Sequence, residues 1–207
     1  MKVILITVGT FQVNCYLAVT PTHQALVIDP GEDAGIIGVT LRQNKLTVAA
    51  YLITHGHMDH VSGLAEMTRT FPAPVAMHPE DEVWAFSSQN QALPYYDTPE
   101  RPKKIDRVLA NGQTYTDAGL SYEIIATPGH SPGGVCFYFP AEKALFSGDT
   151  LFLGTIGRTD LDGSDEKLMT RSLKRLAQLP DDTVIYPGHG PQTTIGQEKR
   201  TNPFMKF

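Results

Sequence analysis

Four residues able to bind a metal stand within six positions: His55, His57, Asp59 and His60, in the run Thr54-His55-Gly56-His57-Met58-Asp59-His60. An apolar stretch over residues 48–54 leads into them and reads as a buried strand. Side chains two apart on a chain leaving a strand face the same way. His55 and His57 therefore suit one metal position. Asp59 and His60, where the chain must turn into a helix, suit a second. Imidazole together with carboxylate favours zinc or a similar first-row metal, with iron and manganese also accommodated. Three further candidates each follow a strand-like run and a glycine-containing turn. They are His130 in Thr127-Pro128-Gly129-His130, Asp149 in Ser147-Gly148-Asp149-Thr150, and His189 in Tyr186-Pro187-Gly188-His189. His130 would complete the first position and His189 the second, while Asp149 could bridge them. Two adjacent divalent ions held this way would activate water for hydrolysis. Such chemistry needs no Ser or Cys nucleophile, and no nucleophile elbow of the Gly-x-Ser-x-Gly kind is expected.

The remaining chain must supply a rigid frame for these turns. Residues 2–8, 13–19 and 25–29 read as strands, broken by Gly9-Thr10 and Pro21-Thr22. Helical spacing follows over 32–44, 61–70 and 79–87, with a strand at 74–77. Residues 88–104 hold three prolines and Tyr95-Tyr96, and a loop of that length is usually functional. Tyr95 and Tyr96 are candidates for an apolar rim around a substrate. The second half repeats the order, with strands at 115–116, 121–127, 135–139, 144–147 and 184–186. A helix over 165–178 carries an apolar stripe of Leu168, Leu173, Leu176 and Leu179. Strands then helix, twice over, predicts two sheets packed face to face with helices outside. His23 and His78 lie in turn and helix-start contexts and read as surface or capping residues. Cys15 and Cys136 read as buried free thiols, which fits a reducing, cytoplasmic location.

The chain has 207 residues, 17 Lys+Arg and 22 Asp+Glu, a net charge of −5. That acidic balance disfavours nucleic acid as a partner. No apolar run reaches the roughly 18–20 residues of a membrane helix, and no signal peptide is expected at the N-terminus.

His55-x-His57-x-Asp59-His60, followed by His130, Asp149 and His189, resembles the metallo-β-lactamase superfamily over nearly the whole chain. The resemblance implies an α/β, four-layer αββα sandwich formed as a single domain over residues 1–207. It also implies that His55, His57 and His130 hold metal one, that Asp59, His60 and His189 hold metal two, and that Asp149 bridges them. Asp29-Pro30-Gly31, Thr127-Pro128-Gly129-His130 and Gly148-Asp149-Thr150-Leu151-Phe152 look like glyoxalase II, the hydroxyacylglutathione hydrolases. There the Asp29 equivalent supports the site from behind. The implied activity is hydrolysis of a thioester of the S-lactoylglutathione type by a metal-bound hydroxide, with Asp59 and Asp149 catalytic. Arg158, in Gly154-Thr155-Ile156-Gly157-Arg158, stands where glyoxalase II contacts glutathione, although the nearby glutathione-binding Tyr is replaced by Asp160. The chain is expected to lack the family's C-terminal glutathione-binding helical domain, and to be a monomer or homodimer acting on a small thioester. Gly157-Arg158-Thr159-Asp160 also resembles the mononuclear-iron persulfide dioxygenases, the main alternative; other hydrolases of the superfamily, on lactones, β-lactams or phosphodiesters, are a further one.

Overall fold

The computed structural model describes all residues, Met1 to Phe207. The chain divides into two compact units, Met1–Leu109 with Thr116–Leu120, and Ala110–Tyr115 with Ser121–Phe207.

The first unit begins with a β-meander, β1 (Lys2–Val8), β2 (Val13–Val19) and β3 (Gln24–Ile28). The crossover helix α1 (Ala34–Gln43) leads to β4 (Thr47–Leu52), then the short helices α2 (Met58–Val61) and α3 (Leu64–Thr70). β5 (Val75–Met77), α4 (Pro79–Ala85) and β6 (Arg107–Val108) complete it. The sheet runs β1-β2-β3-β4-β5-β6, antiparallel among the first three and parallel from β3 onward. Parallel neighbours need crossovers, which is why helices appear only after β3. Ala34, Ile37 and Leu41 of α1 join Val13, Cys15, Leu17, Val27, Leu64 and Met67 in one buried apolar cluster.

The helix expected over 61–70 is two helices. α2 starts at Met58, inside the run from His55 to His60, so Asp59 and His60 ride on a helical turn. The chain breaks at Gly63, whose N–H turns to the Gly31 carbonyl. Tyr51, fully buried on β4, closes the end of α3: its hydroxyl reaches the carbonyls of Met67 at 3.1 Å and Phe71 at 2.8 Å. Tyr51→Phe is expected to lower stability by about 1–3 kcal/mol, because buried carbonyls lose their donor. Urea unfolding measures this; an unchanged midpoint would contradict it.

The second unit takes in the start of β7 (Thr114–Asp117), β8 (Leu120–Ala126) from Ser121 on, β9 (Val135–Phe139), β10 (Ala144–Gly148) and a small hairpin, β11 (Leu151–Phe152) with β12 (Thr155–Ile156). Helix α5 (Glu166–Leu176), β13 (Val184–Pro187), β14 (Thr193–Thr194) and α6 (Ile195–Thr201) follow. The sheet order is β14-β13-β10-β9-β8-β7, with β10 and β13 parallel. Helix α5 starts at an Asp165 cap, whose Oδ1 accepts the Leu168 N–H at 2.9 Å. Its buried face is Met169, Ser172, Leu173 and Leu176, while Leu168 stays half-buried. Met169, Leu173 and Leu176 share one buried apolar cluster with Ile125, Cys136, Leu145 and Ile185. The sequence reading missed β6, β11, β12, β14 and α6, mostly elements of two residues with no periodicity to detect.

No helix is long and apolar enough to cross a membrane.

Candidate metal centre

The first unit brings His55, His57, Asp59 and His60 together just beyond β4. His55 is 3% exposed, His60 0% and Asp59 7%, while His57 is half-buried. The His55 ring lies 4.0 Å from that of His60 and 5.0 Å from that of His57, centre to centre. Asp29, in the left-handed turn after β3 (φ 48°), stands behind this group. Its Oδ2 accepts from His60 Nδ1 at 2.9 Å and from the Thr54 hydroxyl at 2.5 Å, and its Oδ1 accepts the Thr54 N–H at 2.8 Å. The Thr54 proton is thereby committed to Asp29. The Thr54 oxygen must accept the His55 Nδ1–H, 3.0 Å away. One carboxylate thus sets two tautomers, His60 directly and His55 through Thr54. In the neutral rings this leaves Nε2 as the lone-pair nitrogen, the form a metal needs. The ligand-type atoms of Asp29, His55 and His60 lie within 4.8 Å of one another, but Asp29 spends both oxygens on orientation.

The second unit brings His130, Asp149 and His189 together. Asp149 follows β10, and its Oδ2 lies 3.4 Å from His130 Nε2 and 3.5 Å from His189 Nε2. A carboxylate between two imidazole nitrogens has the geometry of a shared ligand. His130 Nδ1 donates to the Arg158 carbonyl at 2.9 Å, so in the neutral ring Nε2 is the lone-pair nitrogen. The Gly188 N–H donates to the Gly148 carbonyl at 2.9 Å, tying the His189 turn to the Asp149 turn. Phe152 of β11 sets its ring edge-on to His189 at 6.2 Å. Gly157 has no room for a side chain: a Cβ there would lie 1.8 Å from the Asp149 carbonyl oxygen and 3.1 Å from the His130 ring.

Other expected residues take different places. The Arg158 side chain is exposed and pairs with Asp160 through two contacts of 2.9 and 3.0 Å. Its backbone carbonyl is the part that contacts His130, which no side-chain pattern reveals. Tyr95 is 59% exposed, whereas Tyr96 is 3% exposed, its ring 4.9 Å from that of Phe11 and its hydroxyl within 3.4 Å of the Phe11 nitrogen. Burial pushes the Tyr96 hydroxyl up to about 12. The buried Tyr96 supports the exposed Phe11 and Tyr95 and is not itself an open rim. His78 caps α4, its Nδ1 accepting the Glu80 N–H at 3.3 Å, and His23 is exposed in a turn. Cys15 and Cys136 are free, buried thiols. Burial raises the Cys136 thiol to about 11, so it is no nucleophile at neutral pH. Gly129-His130-Ser131-Pro132-Gly133 does spell Gly-x-Ser-x-Gly, against expectation. No helix follows it and Ser131 is buried, so the strand–turn–helix context of a nucleophile elbow is missing.

A family profile described as the metallo-beta-lactamase superfamily matches residues 8–189. A Haemophilus influenzae protein named hydroxyacylglutathione hydrolase GloC is 35% identical over 217 residues, spanning 99% of this chain and 98% of its own. Among solved structures, BLEG-1 B3 metallo-beta-lactamase superposes with a TM-score of 0.93 at 36% identity, over 100% of both chains. TTHA1623, crystallised in a di-iron-bound form, gives a TM-score of 0.89 at 38% identity over 97% of this chain and 99% of its own. With its histidine and aspartate clusters at the strand ends, the chain belongs to the metallo-beta-lactamase superfamily of metal-dependent hydrolases and has that fold.

Proposed function

We propose that the protein hydrolyses a thioester of the S-lactoylglutathione type, using two divalent ions held jointly by the two ligand groups. In this reading His55, His57 and His130 hold one ion, Asp59, His60 and His189 the other, and Asp149 reaches both. The observation that carries it is the orientation of three imidazoles. His55, His60 and His130 each direct Nδ1 at a fixed acceptor and keep Nε2 for a metal. Zinc fits this donor set best, and iron or manganese also fits. The ions would supply Lewis acidity and a hydroxide at neutral pH. Asp59 orients the attacking water as well as ligating. Exposed Tyr95, with Tyr96 beneath it, borders the acyl or thiol part of the substrate. Arg158 meets a substrate carboxylate by exchanging out of its water-screened pair with Asp160. The 35% identity to the GloC protein supports the thioester.

The test is S-lactoylglutathione hydrolysis before and after exhaustive chelation. Activity should fall to background without metal and return when zinc, iron or manganese is restored. Hydrolysis that survives complete metal removal would overturn the reading. A second reading, β-lactam hydrolysis, is favoured by the 0.93 TM-score to a B3 metallo-beta-lactamase. A cephalosporin in the same assay decides between them. Oxygen uptake with glutathione persulfide, in place of hydrolysis, would identify the dioxygenase alternative instead.

A further inference from the structure

Helix α4 and the turn after it grip the ligand run at a point no ligand pattern marks. The Gly56 N–H donates to Asp81 Oδ2 at 2.8 Å. The Gly56 carbonyl accepts from Asn90 Nδ2 at 2.8 Å, and the Met58 N–H donates to Asn90 Oδ1 at 3.1 Å. Asn90 Nδ2 also donates to the Ala85 carbonyl at 2.6 Å, tying the grip to the end of α4. Asp81 is 0% exposed and Asn90 1%. Gly56 itself is closely packed: a Cβ there would lie 3.0 Å from Ala85 Cβ and 3.2 Å from Asp81 Cβ. Trp84, the one tryptophan of the chain, sets its ring edge-on to His57 at 5.1 Å.

We propose that Asp81 and Asn90 are positioning residues that clamp the peptides on either side of His57, and so fix the aim of His57 and the start of α2 that carries Asp59 and His60. This rests on the metal-ligand reading of those residues. The clamp assigns a role to the start of the 88–104 loop, which holds the ligand run in place. The chemistry at each position is specific. Asn90 must offer two N–H donors and one acceptor together, which an aspartate cannot do. The Gly56 N–H needs only an acceptor at position 81, which an asparagine oxygen also offers. Partners that orient metal ligands typically contribute about 10–100-fold to metal affinity.

The experiment is cobalt(II) titration of the metal-free protein, read by visible absorption and by Trp84 fluorescence, with thermal unfolding of each metal-free variant alongside. N90A, N90D and D81A should bind cobalt at least ~10-fold more weakly than wild type, with an altered absorption spectrum, whereas D81N should bind as wild type does. L173A, a core change in α5, should lose thermal stability yet keep cobalt affinity. Wild-type affinity and spectrum in N90A, rescue by N90D, or equal weakening in L173A would each overturn the clamp. Should N90A not fold, the contrast between D81A and D81N decides alone: equal binding by the two overturns the proposal. A wild-type protein that gives no cobalt spectrum would overturn the metal-ligand reading itself, and the clamp with it.

Discussion

Asp149→Ala is expected to lose at least one metal ion per chain and to lower kcat by about 100-fold or more, the scale of removing a main electrostatic element from a hydrolytic site. Asp149 Oδ2 stands 3.4 Å from His130 Nε2 and 3.5 Å from His189 Nε2, with its side chain 11% exposed. Alanine removes the one negative charge between those two imidazoles. The rings stay in place, because His130 is held by the Arg158 carbonyl and the His189 turn by the Gly148 carbonyl. The loss should therefore appear in metal content and in kcat, with little change in the unfolding of the metal-free protein. Metal analysis and steady-state kinetics check it. A variant with full metal content and wild-type kcat would show that Asp149 is a bystander.

Asp29→Ala is the second large effect. Asp29 touches no substrate in this account, yet it accepts from His60 Nδ1, the Thr54 hydroxyl and the Thr54 N–H. Removing it deprives three buried donors of their acceptor, each costing about 1–3 kcal/mol. It also releases the tautomers of His55 and His60, so metal affinity should fall by about 10–100-fold. Asp29→Asn should also weaken metal binding, though less. An amide oxygen in place of Oδ2 can still accept from His60 Nδ1 and the Thr54 hydroxyl, but the amide NH2 in place of Oδ1 then faces the Thr54 N–H and cannot accept from it. Competition with a chromophoric chelator measures the affinity, and wild-type affinity in both variants would contradict the prediction.

How much of this was legible in the sequence follows from the kind of contact each residue makes. His55, His57, Asp59, His60, His130, Asp149 and His189 stood out in the sequence as candidate ligands because residues of ligand type recur at set spacings after strand-like runs. Asp29 was readable only through its family resemblance, since an Asp before Pro-Gly is equally a turn residue. Asp81, Asn90 and Gly157 were not readable. The first two act on backbone atoms 25 to 34 residues away in sequence, and Gly157 acts by having no side chain beside the Asp149 carbonyl. For the same reason the contact of the Arg158 carbonyl with His130 could not be read from the sequence. In the fold, long apolar runs such as β2 and β9 were clear, and Val13–Val19 and Val135–Phe139 are buried at every position. The start of α2 was not clear: no spacing shows a helix of four residues, and the Gly31 carbonyl that receives Gly63 is fixed only by the fold.

The central claim is the proposal that His55, His57, Asp59, His60, His130, Asp149 and His189 hold two metal ions. Anomalous diffraction from crystals of the zinc- or manganese-loaded protein tests it most directly. The account predicts two peaks about 3.5–4 Å apart, one bounded by His55, His57 and His130, the other by Asp59, His60 and His189, with Asp149 touching both. A single peak, or peaks away from these seven side chains, would contradict it.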